Sequence, residues 1–232
     1  TAVISADPLF TAYRRLPESD RIGLASTAPE GFPVAVFMEC NGVERSGISG
    51  FDGRLIVNID HHANNPHFGD VNWVDPSIAA VGVMVYRLLV EFGVDITPAI
   101  ATHLYVAILT DTGSFRYSNT DAEAFRVSGE LVGLGVEPAA VAEAMYENVP
   151  ADKVRLLAAG LGSLRMEDGG RVASMVLDRA TLEASPGKPD TEGIVSHGKA
   201  IDGVSVSLLF KEIEVGQYRV SLRSDESVDV AA

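Results

Sequence analysis

Apolar residues fall in three short runs near the start of the chain, at residues 2–5, 33–38 and 55–59. Each run is rich in β-branched side chains and is bounded by polar residues or glycine, a pattern typical of strands. Within each run the apolar positions follow one another almost without interruption. Both faces of these strands are therefore expected to be covered, which predicts a parallel sheet.

A helical pattern follows these strands and is punctuated by capping residues. Pro76 and Pro98 each stand directly after a polar N-cap candidate, where the first turn of a helix tolerates proline. Thr120-Asp-Ala-Glu123 matches a capping box, and Gly93 is a stop signal. The pattern predicts five helices, over residues 75–92, 97–107, 120 to 133 or 135, 137–148 and 152–164.

The pattern changes after residue 167, where apolar and polar residues alternate as in a sheet with one wet face. It predicts strands at 171–177, 203–215 and 217–224, with a hairpin around Gly216, a loop at 184–190 and a short helix at 191–201. We therefore predict an α/β fold with two domains. A parallel-sheet domain with flanking helices takes residues 1–148, a linker helix takes 149–165, and a smaller α+β domain takes 166–232.

Composition and charge narrow the classes of function. The 232 residues are 47% hydrophobic and 22% charged, as in ordinary globular proteins. We expect no membrane span, since no apolar run reaches the roughly 18 residues that one needs, and no secretory signal. The single cysteine, Cys40, fits a reducing cytoplasm. The net charge of −14 argues against binding of long nucleic acid, because such binding requires a basic surface.

Candidate chemistry lies where apolar elements end. Leu55-Ile-Val-Asn-Ile-Asp60 is followed by His61 and His62, at the end of a strand where open α/β sheets bind ligands. Glu39 closes the preceding strand, and Asp111 ends an apolar helix. Carboxylates and imidazoles in one crevice are typical of a divalent metal site, and imidazole favours manganese or another transition ion over calcium.

Each of these residues also has a structural interpretation. A lone Glu39 would be a solvated turn residue, and a lone Asp111 a helix cap. Neighbouring side chains on a strand point to opposite faces, so we expect only one of the two histidines of the motif to point into a given metal shell. His103 and His197 are interpreted as structural, and His67 in the following loop is left unassigned.

Four segments together resemble the DHH–DHHA1 phosphoesterase family. They are Asn58-Ile-Asp-His-His62, Val71-Asn-Trp-Val-Asp-Pro-Ser77, residues 107–120 with Asp-Thr-Gly-Ser-Phe-Arg-Tyr, and Val220-Ser-Leu-Arg-Ser224 with Val228-Asp-Val-Ala231. The chain is most similar to the branch of oligoribonucleases (nano-RNases) that also remove the 3′-phosphate of 3′-phosphoadenosine 5′-phosphate (PAP). The resemblance covers nearly the whole chain.

The resemblance implies a manganese-dependent hydrolase of short oligoribonucleotides, linear or cyclic dinucleotides, or PAP, with Mg²⁺ or Co²⁺ as substitute ions. Two Mn²⁺ ions would be held by Glu39, His61 and Asp111, with Glu39 where aspartate is common in the family. His62 would donate to the scissile phosphate, and Asp60 would orient a histidine ring from behind. The implied substrate contacts are Ser114 and Arg116 in the first domain and Arg223 and Ser224 in the second. A homodimer is left open.

Two motifs of that family have no match in the sequence. A His-x-x-x-Asp-x-Asp run should precede the present start, and a Gly-Gly-Gly-His run should follow the present end, so we expect the sequence to be trimmed at both termini. The alternatives are an inorganic pyrophosphatase or exopolyphosphatase with the same Asp-His-His core, and a non-catalytic nucleotide-binding relative that has lost its metals. The Val220–Ser224 segment favours the nucleotide hydrolase over the pyrophosphatase.

Overall fold

A computed structural model gives the structure of the chain and describes residues 1–147, 149–185, 189–191, 193–225 and 228. The chain divides into two compact units, Thr1–Asn148 and Val149–Ala232. Parts of the predicted loop at 184–190, of the helices at 137–148 and 191–201, and of the motif that begins at Val228 lie outside the described residues.

The first unit contains two parallel sheets. Its strands are β1 (Val3–Ser5), β2 (Ile22–Leu24), β3 (Val34–Met38), β4 (Leu55–Asp60) and β5 (Val71–Val74). β1 pairs with β2, and β4 lies between β3 and β5. The register aligns Met38 with Ile59 and Asp60 with Val74, so all three strands of the larger sheet end at one edge. The predicted strands at 2–5, 33–38 and 55–59 are confirmed, but the first pairs with β2 in a sheet of its own, and of the three only β3 and β4 share the larger parallel sheet. β2 and β5 were not predicted.

The described residues of the first unit form four α-helices: α1 (Val81–Glu91), α2 (Pro98–Asp111), α3 (Ala122–Gly133) and α4 (Pro138–Ala142), the last continued by a π-helical turn at Glu143–Glu147. Thr97 caps α2 as predicted, by accepting from the Ile100 amide. That helix runs four residues beyond its predicted end, and therefore reaches Asp111.

Two predicted helix starts are wrong. The helix expected from residue 75 begins at Val81, because the Asp75 carboxylate instead accepts from the amide and hydroxyl of Ser77 in a local turn. The cap of α3 is Asp121, which accepts from the Ala124 amide at 2.7 Å, and not Thr120. In both places a polar residue stands where a cap was expected, but a local hydrogen bond forms and the helix starts at a later residue.

The core of the first unit lies between the larger sheet and α1, α2 and α3. Ile59 contributes from the sheet, Met84 from α1, Ile108 from α2 and Leu131 from α3, and all are buried. Gly82 of α1 lies against α2, since a Cβ there would approach Leu104 O and the Ala107 Cβ at 3.0 Å. This close packing holds α1 against the C-terminal half of α2.

The second unit is built on a mixed sheet in the order β6 (Arg165–Glu167), β7 (Val172–Leu177), β8 (Val206–Glu214) and β9 (Gln217–Ser224). β7 and β8 are parallel and the other pairs antiparallel. The predicted hairpin is confirmed, with Gly216 at φ 74° in its turn. β6 was not predicted.

The helices of the second unit are α5 (Ala151–Gly162), α6 (Arg179–Glu183) and α7 (Ile194–Lys199), of which α6 was not predicted. α5, which the sequence suggested as a linker, contributes the buried Leu156 to the core of this unit, beside Met175 and Leu209 from the sheet. The α/β fold class is confirmed. Among the described residues, no helix combines the length and apolar character that crossing a membrane requires.

Candidate metal centre

The candidate site lies at the carboxyl ends of β3 and β4. Because the two strands are parallel and in register, Glu39 after β3 and the Asp60-His61-His62 segment at the end of β4 reach the same edge of the sheet. The Glu39 amide still donates to Ile59 O at 3.1 Å, but its φ of 58° turns the chain away from the strand direction. A left-handed conformation at a non-glycine residue is uncommon and is often found at functional sites.

Glu39, His61 and His62 form a compact group of potential ligands. Their ligand atoms all lie within 4.8 Å of one another. The Oε1 atom of Glu39 lies 3.1 Å from His61 Nε2 and 3.7 Å from His62 Nδ1. The expectation that the two rings point to opposite faces is wrong, because β4 ends at Asp60 and the alternation of a strand does not extend to the histidines.

The His61 ring is held by hydrogen bonds at both nitrogens. Nδ1 lies 3.0 Å from Ile78 O and Nε2 lies 3.1 Å from the Glu39 carboxylate. Both partners are acceptors, so in the metal-free protein each ring nitrogen carries a proton. The hydrogen bond to Glu39 raises the pKa of His61 to about 9, against the opposing effect of burial. A cation at Nε2 would replace that proton while Ile78 keeps the ring oriented.

Asp60 is fully buried and its carboxylate is surrounded by donors. Oδ1 accepts from the His61 amide at 2.7 Å and lies 2.7 Å from His62 Nδ1, and Oδ2 accepts from Asn65 Nδ2 at 2.5 Å. Burial acts to raise the pKa of this carboxyl, but the hydrogen bonds from Asn65, His62 and the backbone outweigh it and lower the pKa. Asp60 therefore stays ionised and fixes the His62 ring through Nδ1.

Asn65 is the functional candidate that sequence reasoning missed. Its buried amide donates to Asp60 and to Cys40 O, and its carbonyl oxygen accepts from Asn58 Nδ2 at 2.9 Å and from the His67 amide at 2.8 Å. This one side chain thus joins the loop after β3 to the loop after β4. The only signal in the sequence is the pair Asn64-Asn65 within a short loop after the motif.

Asp111 lies at the C-terminal end of α2 and is electrostatically coupled to the same group. Burial, followed by repulsion from the Glu39 carboxylate, raises its pKa to about 6, and the charges of His61 and His62 act in the opposite direction. Its carboxylate is not part of the 4.8 Å group of ligand atoms. Asp111 is therefore close enough to interact with the group but is not hydrogen-bonded into it.

The loop after Asp111 is strained and internally bonded. Ser114 and Phe115 both have positive φ, at 63° and 60°. The Ser114 hydroxyl lies 2.7 Å from the hydroxyl of Tyr146 in the π-helical turn, and Arg116 Nε donates to Gly113 O at 2.8 Å. The two residues predicted to contact phosphate thus have partners within the first unit.

Arg223 and Ser224, the other predicted substrate contacts, lie on β9 of the second unit. They pair in register with Ser207 and Val206 of β8. The Arg223 side chain is exposed and donates to Leu222 O at 2.9 Å.

The donor set of the first unit fits a divalent transition ion. It offers a carboxylate and an imidazole nitrogen that face each other, with a second, crowded carboxylate nearby whose ionised form an added cation would stabilise. The buried Asp60 behind the histidines is the kind of outer partner that orients metal-ligating imidazoles.

No protein-family model matches the chain. Among curated proteins, it is 35% identical over 193 residues to a protein of Thermus thermophilus named bifunctional oligoribonuclease and PAP phosphatase NrnA. The match covers 83% of this chain and 58% of that protein. A Streptococcus mutans protein named probable bifunctional oligoribonuclease and PAP phosphatase NrnA is 29% identical, over 76% of this chain and 57% of its own length.

The chain belongs to the NrnA branch of the DHH–DHHA1 family. It spans a little under three fifths of the length of the NrnA relatives that it matches. A crystal structure of an exopolyphosphatase-related protein from Bacteroides fragilis has the same fold, with a TM-score of 0.85 and 23% identity over 97% of this chain and 70% of the other. The resemblance to the family that the motifs suggested is confirmed.

Proposed function

We propose that the protein is a metal-dependent phosphohydrolase that cleaves short oligoribonucleotides, dinucleotides or the 3′-phosphate of PAP. The observation that carries the proposal is the convergence of Glu39, His61 and His62 at one sheet edge, with Asp111 coupled to them. The names of the NrnA relatives support this substrate class. They are names of longer proteins, so the activity of this chain stays a proposal.

Glu39, His61 and Asp111 would hold two Mn²⁺ ions, for which Mg²⁺ or Co²⁺ could substitute. Such ions, when bound, provide an activated water and offset the charge of the phosphate oxygens. The first unit suits this arrangement, because an acidic protein that acts on phosphates needs its positive charge to be supplied at the site itself. Glu39 would hold an ion together with His61, since its carboxylate faces the His61 ring.

His62 would act on the substrate directly. Its Nδ1 is hydrogen-bonded to the Asp60 carboxylate, which orients the ring. Nε2 then has no hydrogen-bond partner among the described residues, and it can donate to an oxygen of the scissile phosphate. Asp60 is a positioning residue in this scheme, and Asn65 positions Asp60.

We propose substrate contacts in each of the two predicted domains. Ser114 and Arg116 in residues 1–148, and Arg223 and Ser224 in residues 166–232, are the proposed contacts, with 149–165 as the connecting helix. With a net charge of −14, binding of a longer strand would release few counterions and so would gain little affinity. We propose the cytoplasm as the compartment, in keeping with the single cysteine, and a homodimer remains a prediction that sizing in solution can test.

The proposal is tested with the full-length protein, Mn²⁺ and one substrate panel. The panel contains oligoribonucleotides from dimer to pentamer, a long single strand, a cyclic dinucleotide, PAP, pyrophosphate and polyphosphate. We expect hydrolysis of the short nucleotides to exceed that of the long strand, to depend little on salt and to stop on removal of the metal with a chelator. Preference for pyrophosphate or polyphosphate would identify the alternative hydrolase, and no metal by elemental analysis would favour a non-catalytic binding protein.

A further inference from the structure

A small polar cavity adjoins the candidate metal centre. It has a volume of about 120 Å³ and is lined by Glu39, Asn41, Arg45, His62 and Asn64. Two of these residues belong to the group already described, and the other three have no role in it. Asn41 and Arg45 come from the segment after β3 and Asn64 from the loop after β4, so the same two strand ends build the cavity and the centre.

The three additional side chains are hydrogen-bond donors without partners. No hydrogen bond or ion pair joins the side chain of Asn41, Arg45 or Asn64 to another residue in the part of the chain that the structure describes. The cavity therefore presents one guanidinium and two amides, together with the His62 edge that faces away from Asp60. Such a set of donors is suited to an anion with several oxygens.

Arg45 is unusual among the cationic residues of the first unit. Residues 1–148 contain eight arginines and no lysine. Arg21, Arg87 and Arg126 form ion pairs with glutamates, and Arg14, Arg54 and Arg116 donate to backbone carbonyls. Within the described residues this leaves two arginines whose side chains are uncommitted, Arg15 and Arg45, and Arg45 is the one that lines the cavity beside Glu39 and His62.

We infer that Arg45, assisted by Asn41 and Asn64, binds a phosphate group of the nucleotide substrate. The planar guanidinium offers paired N–H groups that match phosphate oxygens. The Glu39 carboxylate also lines the cavity and disfavours an anion while it is unneutralised. The inference therefore rests on the proposed function, in which bound cations offset that charge.

Arg15 provides a matched control. It is also an uncommitted arginine of the first unit, but it lines a different cavity, of about 450 Å³, whose other lining residues include Leu16, Pro98 and Val141. Arg15→Gln removes the same charge as Arg45→Gln and leaves the neighbourhood of Glu39 unchanged. Both arginines are free of side-chain partners among the described residues, so neither substitution should disturb folding, and equal melting temperatures would verify this.

The test measures binding of AMP and adenosine to the Mn²⁺-loaded full-length protein and to its variants. We expect Arg45→Gln to weaken AMP binding about 10- to 100-fold, the usual loss for a hydrogen-bonded charge pair, and to leave adenosine binding unchanged. The AMP affinity of Arg45→Lys should lie between that of the parent and that of Arg45→Gln, because lysine keeps the positive charge but lacks the paired N–H groups of the guanidinium. Arg15→Gln should match the parent within about twofold. With a dinucleotide, Arg45→Gln should raise KM much more than it lowers kcat.

Failure of the inference and failure of the proposed function give different results. If the parent hydrolyses short nucleotides and Arg45→Gln binds AMP as tightly as the parent, the inference is overturned and the function stands. If the parent binds AMP in an Arg45-dependent way but hydrolyses no nucleotide, the phosphate site stands and the proposed function fails. A parent protein that does neither, or an Arg15→Gln variant that loses as much affinity as Arg45→Gln, overturns the inference.

Discussion

The two units of the molecule differ in where their charge is placed. Residues 1–148 carry eight arginines against nineteen aspartates and glutamates, whereas residues 149–232 carry ten basic residues against thirteen acidic ones. Most of the net charge of −14 thus belongs to the unit for which we propose phosphate chemistry. In the proposed function, cations bound at one edge of the sheet would neutralise the carboxylates there and so allow phosphate to bind.

The buried polar residues of the two units also differ in their hydrogen-bond partners. In the first unit Asn58, Asp60 and Asn65 are buried and bond mainly to one another and to the histidine loop. In the second unit the buried Ser207 donates to Val195 O of α7 at 2.8 Å, and so ties a helix to the sheet. We therefore expect substitutions at Asn65 to affect the candidate site and substitutions beside Ser207 to affect packing.

The largest expected effect is that of Asp111→Asn in the first unit. Removal of a ligand from a two-metal site forfeits several kcal/mol of transition-state stabilisation, and about 4 kcal/mol corresponds to a reaction roughly 10³-fold slower. Hydrolysis of a dinucleotide by the full-length protein is the measurement. A variant that keeps more than about a tenth of the parent rate would show that Asp111 is not a ligand.

The metal-free stability of the same variant provides the control, because it separates a ligand from a structural residue. The folded-state pKa of Asp111, about 6, exceeds the ordinary aspartate value of 3.8, so folding takes up a proton between these pH values and stability falls as pH rises through them. Asn carries no such charge. Asp111→Asn should therefore be more stable than the parent at pH 8, by on the order of 1–3 kcal/mol, and the difference should shrink at pH 5. A lower melting temperature at pH 8 would contradict this.

The second largest effect should distinguish the two histidines. His61→Ala should lower both the affinity for Mn²⁺ and the rate, because its Nε2 faces Glu39. His62→Ala should retain the metal and lower turnover by about 10²- to 10³-fold, as loss of a donor to a charged transition state does. Metal titration and kcat are measured for each variant. Equal loss of metal in both would reject the division of roles.

A smaller effect is expected from Asn65→Ala. The substitution leaves the buried Asp60 carboxylate without one donor and releases the Cys40 carbonyl, which should cost about 1–3 kcal/mol of stability and lower metal affinity about 10- to 100-fold. The neighbouring Asn64→Ala is the control, since it should change neither quantity by a comparable amount. Unchanged Mn²⁺ affinity in Asn65→Ala would show that Asn65 does not contribute to the metal site.

The smallest effect on the site should come from Gly198→Ala in α7 of the second unit. A Cβ at this position collides with Ser207 Oγ, which is buried and bonded to Val195 O, so we expect a loss of about 1–3 kcal/mol from overpacking. Mn²⁺ affinity should stay at the parent value. Gly162→Ala, where a Cβ meets nothing within 4 Å, should be nearly neutral for stability. Loss of Mn²⁺ affinity in Gly198→Ala would contradict the expectation that packing in the second unit does not affect the metal site of the first.

The sequence carried enough information to predict the elements around the site. β3, β4 and the start of α2 follow from apolar runs and from the Thr97-Pro98 pair, and residues at strand ends indicated Glu39, Asp60 and His61 as neighbours. The parallel register then brings Glu39 and His61 together. These predictions succeed because the carboxyl ends of parallel strands lie at the same edge of the sheet, whatever path the loops between them take.

What the sequence did not reveal depends on tertiary partners. β2 and β5 have only three and four residues, and each is defined by its pairing with a neighbouring strand, β1 or β4. Asn65 lies among several asparagines of similar context, and only the fold selects it to be buried against Asp60. The assumption that His61 and His62 alternate failed because the strand ends at Asp60, before either histidine.

The π-helical turn at Glu143–Glu147 limits which insertions and deletions relatives can carry in this part of the chain. A π turn takes up more residues than an α turn and so accommodates an added residue within a continuous helix. Tyr146 lies in that turn and meets Ser114 of the loop after Asp111. Deleting one residue there would rotate the following side chains by about 100° around the axis and separate Tyr146 from Ser114. Insertions and deletions among relatives should therefore avoid this turn or replace the Ser114–Tyr146 pair at the same time.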